Sequence, residues 1–349
     1  MAPPTGPRTV LALTLMLAAL GPGPSRAQAT VAEFYRGKTV SLVVSTAAGS
    51  GYDFGARVLG RHLGRHIPGN PTVIVQNRPG GGGRTGTAFV YSVAPKDGTV
   101  IGAVQSFIAT DPLLDPSVLQ LFDPRRFEWL GSIANTSSVA IAWHDAPVKE
   151  IKDLYQHELV VGGVGSATPM VTMPYLFHRL LGMKFSVVAG YESGNEVNLA
   201  LERGEVKGRI DYSWHSLKAE HQDWIAAHKI NLLFQIGLRA HPDLESLPLV
   251  IDLAKSAEDR QILQVIFLNY EFGRAFMLAP GVPAERIAGL RSAFVATMAD
   301  ADFLADAEKS KLEVSPVSAA RLAQLVEEAY RLPPALVQRA IALQAPDSK

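Results

Sequence analysis

Two glycine-containing loops constrain this chain most, because each lies directly after an apolar β-branched run and directly before a helical pattern. The first, STAAGSGYDFGAR from Ser45 to Arg57, follows TVSLVVS, Thr39 to Ser45. The second, NRPGGGGRTG from Asn77 to Gly86, follows TVIVQN, Thr72 to Asn77. Such backbone is costly to order, so loops placed this way call for a use. After the first loop, Phe54, Val58, Leu59, Leu63 and Ile67 share one helical face, and Arg57, Arg61 and Arg65 follow at four-residue spacing on another. A second helix is expected over Thr85 to Ser92, then the turn PKDG, Pro95 to Gly98, and a third strand, TVIGAV. This alternation predicts a parallel sheet with helices on its faces. Ligands of such sheets collect outside the carboxyl ends of the strands. Both loops, with Gln105, Ser106 and Phe107, are therefore expected to converge on one edge.

A similar run follows. VAIAWH (Val139 to His144), ELVVGGVG (Glu158 to Gly165), KFSVVAGY (Lys184 to Tyr191) and GRIDYSW read as strands. Helices are expected near Ser166 and around Glu196 to Arg203. The last third reads as helix-rich, with Pro283 at a helix start and Ile287, Leu290, Phe294 and Met298 at helical spacing, then an amphipathic helix over Ala319 to Tyr330. A chain of 349 residues is long enough for two cores. The expected division is a first domain of residues 30–135 plus 271–349 and a second domain of residues 136–270.

Residues 1–29 are read as a cleavable signal peptide: Arg8, the apolar run Val10 to Leu20, then AQA at Ala27 to Ala29. That run is much shorter than the ~20 residues a spanning helix needs. Removing it takes away Arg8 and Arg26, leaving 31 basic against 33 acidic residues. The near-neutral balance gives no basic field for nucleic acid. The absence of cysteine excludes disulfides, thiol catalysis and Cys-zinc sites. Export without disulfides fits a bacterial periplasm.

Familiar catalytic motifs are missing. There is no P-loop and no G-x-S-x-G elbow, Gly49, Gly51 and Gly55 of GSGYDFG miss the G-x-G-x-x-G spacing, and HLGRH at His62 to His66 lacks the glutamate of a zincin. The two histidines read as part of a solvated basic helix face. What remains is backbone chemistry. Small-residue loops that open helices leave N–H groups without intrahelical acceptors, at the positive end of the helix dipole. Such a site takes a carboxylate. Ala48 to Tyr52 and Gly80 to Arg84 each offer one set, and Ser166 to Thr168, with Pro169 in the first turn, a third. Asp53 is expected to accept hydrogen bonds from loop amides or a ligand donor and so shape the site. Arg84 reads either as a charged partner or as a solvated arginine. After the last expected strand of the second domain, DYSWHS supplies Asp211, Tyr212, Trp214 and His215 as candidates to cover the ligand body or to pack in the core. Tyr191 to Asn195 stand in the corresponding place after the preceding strand.

VVSTAAGSGYDFGAR, VIVQNRPGGGGRTG and APKDGTVIG, in that order, resemble the signature of the substrate-binding proteins of tripartite tricarboxylate transporters, the Bug family. GYESGNEVNLALERGEV continues the resemblance over the second half. It implies an α/β periplasmic binding protein of the two-domain, type II Venus-flytrap class, with the ligand in a cleft between the domains. It further implies a non-enzymatic, monomeric receptor without cofactor or metal, which captures a small organic carboxylate and delivers it to transporter subunits in the membrane. The ligand residues it implies are Ala48, Gly49, Ser50, Asp53, Asn77, Gly80, Gly81, Gly82 and Gly83 in the first domain, and Ser166, Thr168, Tyr191 and Ser193 in the second. Ser50 and Gly81 depart from the usual glycine and alanine. Gly190, Glu192 and Ser193 replace the usual Pro, Lys and Gly around Tyr191, and Lys207 replaces an aspartate, so the departures concentrate in the half that sets specificity.

Two other readings share this sequence. A ligand-reading partner of a membrane sensor would use the same pocket. An exported hydrolase would need His215 and Asp211, or the Ser166 loop, within hydrogen-bond reach of one another.

Overall fold

The computed structural model describes Met1, residues 26–165 and residues 168–345. The expected signal segment therefore lies mostly outside the described residues, and so do Ser166 and Ala167. Among the described residues no helix is long and apolar enough to cross a membrane.

Two sheets organise the chain. The strands are β1 (Thr39–Val44), β2 (Thr72–Asn77), β3 (Val100–Val104), β4 (Glu128–Ser132), β5 (Ser138–Trp143), β6 (Leu159–Val164), β7 (Phe185–Tyr191), β8 (Gly208–Ser213), β9 (Ile230–Ile236), β10 (Ala275–Leu278) and β11 (Val317–Ser318). The first sheet runs β11-β4-β10-β3-β1-β2 and the second β7-β6-β8-β5-β9. β1 pairs in parallel with β2 and β3, with Leu42 opposite both Val75 and Ile101. The βαβαβ expectation thus describes the centre of the first sheet. β10 returns antiparallel between β3 and β4, so the whole sheet is mixed. The second sheet is mixed as well: β6 runs parallel to β7 and β8, and β5 antiparallel to β8 and β9.

Each sheet is covered on both faces, which is why its inner strands read as continuous apolar runs. One face of the first sheet carries Leu42, Leu59, Ile101 and Phe294; the other carries Val104, Trp129, Phe272 and Leu325. The second sheet buries Val161, Phe177, Phe234 and Phe267 on one side and Val139, Trp143, Tyr212 and Trp224 on the other.

The helix after the first loop is Gly51–Leu63, capped by the Ser50 hydroxyl. The second loop passes through a short 3-10 turn into Arg84–Ala88, where the pattern had suggested one helix to Ser92. A π-helical turn over Phe89–Val93 completes that stretch. His62 and His66 are not merely solvated. Each bonds an aspartate at the facing helix Ala301–Lys309, His62 to Asp306 at 2.8 Å and His66 to Asp300 at 2.6 Å.

The chain passes between the sheets three times, twice along adjacent segments and once more between the helices Ala319–Tyr330 and Pro334–Gln344. The Ile133 amide donates to the Arg274 carbonyl at 3.1 Å, and the Thr136 amide to the Tyr270 carbonyl at 2.6 Å. A Cβ at Gly273 would lie 2.7 Å from the Ala134 carbonyl oxygen, so the crossing is close enough to require glycine. The C-terminus departs from the expected division. Helix Pro334–Gln344 packs against the helices Pro169–Leu181 and Ala257–Glu271, placing Leu336 and Ala340 in the core of the second sheet instead of the first. The physical reason is its apolar stripe, which finds a groove between two helices of that layer.

Candidate ligand cleft

The expected strand ends do meet at one edge. Asn77, at the end of β2, donates from Nδ2 to the Thr46 carbonyl at 3.1 Å and to Asp53 Oδ1 at 2.9 Å. Asp53 is only 3% exposed and also accepts from the Gly49 amide at 2.8 Å and Arg57 Nε at 3.0 Å. Burial pushes its carboxyl upward, but the hydrogen bonds from Arg57, Gly49 and Asn77 outweigh that and hold it below the usual aspartate value. Asp53 therefore shapes the first loop from within. Tyr52, one residue earlier, ties in the third strand end: its hydroxyl lies 3.2 Å from Ser106 Oγ and accepts from the Ser106 amide at 3.2 Å.

The second loop is built from four successive glycines with positive φ, Gly80 (134°), Gly81 (54°), Gly82 (64°) and Gly83 (91°). Only glycine adopts such a run without strain. Gly80, Gly81 and Gly82 are exposed, whereas Gly83 is buried. A Cβ at Gly83 would lie 2.6 Å from Gln105 Nε2, so Gln105 packs directly against this loop.

Not every expected amide is open. The Gly49 amide is spent on Asp53 and the Ser50 amide on the Ala47 carbonyl at 3.3 Å. The Gly83 amide donates to the Gly80 carbonyl at 2.9 Å. These are the ordinary closing bonds of tight turns. Helix geometry leaves Gly51 and Tyr52 at the first turn without intrahelical acceptors. Ala48 lies exposed in the same loop.

A cavity of about 520 Å³ lies between the two sheets' layers. From the first layer it takes Tyr52, Ser106 and Phe107; from the second, Ser138, Thr172, Asp211, Asn269 and Tyr270 among others. A Cβ at Gly82 would be 3.6 Å from Phe107 Cζ, so the glycine loop lies beside Phe107, although none of Gly80 to Gly83 lines the cavity itself. A second cavity of about 520 Å³, lined by Val265, Leu325 and Leu332, includes none of the loop residues.

Asp211 faces the cavity from the end of β8, with φ of 59°. Aspartate is among the few residues that tolerate this left-handed backbone. The Tyr270 hydroxyl donates to Asp211 Oδ1, and Ser138 bonds the same carboxyl. Burial pushes the Asp211 carboxyl above its ordinary value, against those hydrogen bonds and the charge of Arg209. His215 instead faces Glu313, with Nδ1 3.9 Å from Oε2. No hydrogen bond joins His215 to Asp211 among the described residues, so that hydrolase pairing is not assembled here.

Several expected second-domain residues are occupied inside the protein. The Thr168 hydroxyl turns back to the Val164 and Gly165 carbonyls. Tyr191 lies over Gly162, against Glu205. Ser193 caps the helix Gly194–Glu202 by accepting from the Glu196 amide. Trp214 is buried and donates from Nε1 to Asp243 Oδ2 at 3.1 Å. None of these four lines the cavity. Ser166 lies outside the described residues. Arg84 is neutralised by a two-pronged bond to Asp111, 2.7 Å on each arm, and by Asp115 at 3.2 Å. Ser138, Asn269 and Tyr270 also line the cavity and carry no motif in the sequence: Ser138 opens β5, and Asn269 and Tyr270 lie in the last turn of the helix Ala257–Glu271, beside the crossings.

The family described as tripartite tricarboxylate transporter family receptor matches residues 56–341. A Cupriavidus necator protein described as UPF0065 protein in gbd 5'region is 25% identical over 332 residues, covering 92% of this chain and 93% of the relative. A TctC solute-binding protein from Polaromonas, solved without ligand, superposes with a TM-score of 0.67 at 16% identity, covering 88% of this chain and 99% of that one. An R. palustris protein solved with adipate superposes with a TM-score of 0.57 at 21% identity, covering 88% of this chain and 99% of the other. The α/β architecture, two sheets each covered on both faces, is thus that of the periplasmic binding proteins, and the chain belongs to the tripartite tricarboxylate transporter receptor family.

Proposed function

We propose that this chain is an exported, periplasmic receptor that captures a small organic carboxylate in the cleft between its two domains and hands it to a tripartite tricarboxylate-type membrane transporter. The observation that carries the reading is one cavity walled by Tyr52, Ser106 and Phe107 of the first sheet's layer and by residues of the second, with Gly82 of the glycine loop beside Phe107. The first-turn amides of Gly51 and Tyr52 and the amides of Gly80 to Gly82 supply donors for an anion. Adipate in a relative of the same architecture supports a dicarboxylate of similar size. The hydroxyls of Ser138 and Tyr270, with the Asn269 amide, supply a polar second wall. The domains are read as 30–133 with 274–332, and 136–270 with the last helix. Closure is read as a hinge about the paired crossings at Ile133–Thr136 and Tyr270–Arg274.

The test is calorimetry and thermal unfolding of the chain lacking residues 1–29 against acetate, succinate, malate, glutarate, adipate and citrate. A bound acid stabilises by mass action, by about 2.7 kcal/mol at a hundred times its Kd. No binding and no stabilisation across the panel overturns the reading. The variant Gly82→Asp adds charge and bulk beside Phe107 and is expected to weaken binding. Unchanged affinity removes the second loop from the site.

A further inference from the structure

The second crossing segment brings an arginine to the mouth of the first loop. A Cβ at Gly55 would lie 2.8 Å from Arg274 Cδ and 3.0 Å from Nε, and one at Gly51 would lie 3.8 Å from Nη2. Gly51 and Gly55 stand one turn apart on the same helix face. Together they form a trough in which the arginine stem lies, and its guanidinium ends beside the first residue of the helix. Among the described residues its guanidinium donates a single long hydrogen bond, from Nε to the Gly51 carbonyl at 3.4 Å.

This cation is half-buried, and no carboxylate lies within ion-pair distance of it among the described residues. Glu313, the acid whose charge it feels, is turned toward His215 Nδ1 at 3.9 Å and His241 Nε2 at 3.7 Å. The Tyr52 hydroxyl, its other polar neighbour, is engaged with Ser106. A partly desolvated guanidinium thus sits at the positive end of a helix dipole, beside amides with no intrahelical acceptor. Positive features gathered like this are unfavourable until an anion joins them.

We propose that Arg274 is the formal charge of the ligand site: its guanidinium and the first-turn amides of Gly51–Leu63 together clamp one carboxylate of the ligand and select the anion over its neutral amide. The proposal rests on the carboxylate-receptor reading. It changes that reading in one respect: side-chain charge, and not peptide dipoles alone, holds the guest. It also gives the first loop's glycines a use, since Gly51 and Gly55 make room for the arginine.

The experiment compares Arg274→Gln, Arg274→Lys and Gly55→Ala with the parent chain lacking residues 1–29. Calorimetry uses whichever of succinate, malate, glutarate or adipate binds the parent most tightly, and the diamide of the same acid. Arg274→Gln is expected to weaken the acid by about tenfold or more, as loss of a charge-assisted hydrogen bond does, and to weaken the diamide by much less. Arg274→Lys should restore part of the difference, and the salt dependence of acid binding should flatten in the Gln variant. Gly55→Ala keeps every charge, suits a helix interior and displaces the arginine, so it should weaken the acid while the protein stays folded. It stands in for Arg274→Gln if that variant does not fold. Parental affinity for the acid, or equal losses for acid and diamide, overturns the proposal while the receptor reading stands. If none of the four acids binds the parent, the receptor reading fails and this proposal falls with it.

Discussion

Asn77 Nδ2 donates to Asp53 Oδ1 at 2.9 Å, so the residue that ends β2 holds the carboxylate that opens the helix after its neighbour β1. The same amide reaches the Thr46 carbonyl, and Arg57 Nη2 donates to Asn77 Oδ1 at 3.1 Å. The two glycine-containing loops are thereby locked to each other before any ligand arrives. A preformed site of this kind loses less ordering entropy on binding.

Asn77→Ala removes donors from the buried Asp53 and from the Thr46 carbonyl. Leaving buried acceptors short of partners costs about 1–3 kcal/mol. Urea unfolding should show a lower midpoint with an unchanged slope, and carboxylate affinity should fall with it. A midpoint equal to that of the parent chain means the bridge contributes nothing to the loops.

Asp211 leads to a prediction of the opposite sign. Its folded carboxyl is pushed above the ordinary value by burial. A raised acid stabilises the fold while protonated, and that contribution is lost as pH rises through the folded value. Asp211→Asn keeps an acceptor for Tyr270 and suits the left-handed backbone. The variant should therefore unfold at a higher temperature than the parent at pH 8, with the gap closing toward pH 4. Thermal melts across that range decide it. A variant less stable than the parent at pH 8 contradicts the account.

Acid should loosen the contact between the helices Gly51–Leu63 and Ala301–Lys309. Asp306 is held down to about 2 by hydrogen bonds from Arg61 and His62. Asp300 lies lower still, since bonds from His66, Phe303 and Arg65 outweigh its desolvation. A depressed carboxyl contributes stability above its unfolded value of about 4, and that contribution disappears as pH falls through the folded one. Unfolding temperature should drop between pH 4 and pH 2, and Asp306→Asn should flatten that limb. An acid limb with the same slope in the variant removes Asp306 from the cause.

Much of the first layer was legible. β1, β2 and β3 follow from apolar β-branched runs, and Ala319–Tyr330 follows residue for residue from its helical periodicity. β4, β9, β10 and β11 were not foreseen. The last of these spans two residues and exists only because it pairs with β4. The antiparallel entry of β10 between β3 and β4 is also invisible locally, since strand order depends on partners far away in the chain. Of the expected ligand residues, Ser106 and Asp211 line the cavity; Ala48, Gly49, Ser50, Asp53, Asn77, Gly80 to Gly83 and Gln105 do not, and Thr168, Tyr191, Ser193 and Trp214 find partners within the fold.

By itself the amino-acid order determined the strand–loop–helix units, the two glycine-containing loops and the resemblance to a carboxylate-receptor family. These are local properties, set by side-chain period and by backbone freedom at glycine. Only the tertiary structure decided which loop amides stay open, and which are consumed by Asp53 or a neighbouring carbonyl. It also decided that Arg274, 223 residues beyond Gly51, lies along the same helix. Hydrogen-bond satisfaction and charge pairing are settled between groups distant in sequence, and no local pattern encodes them.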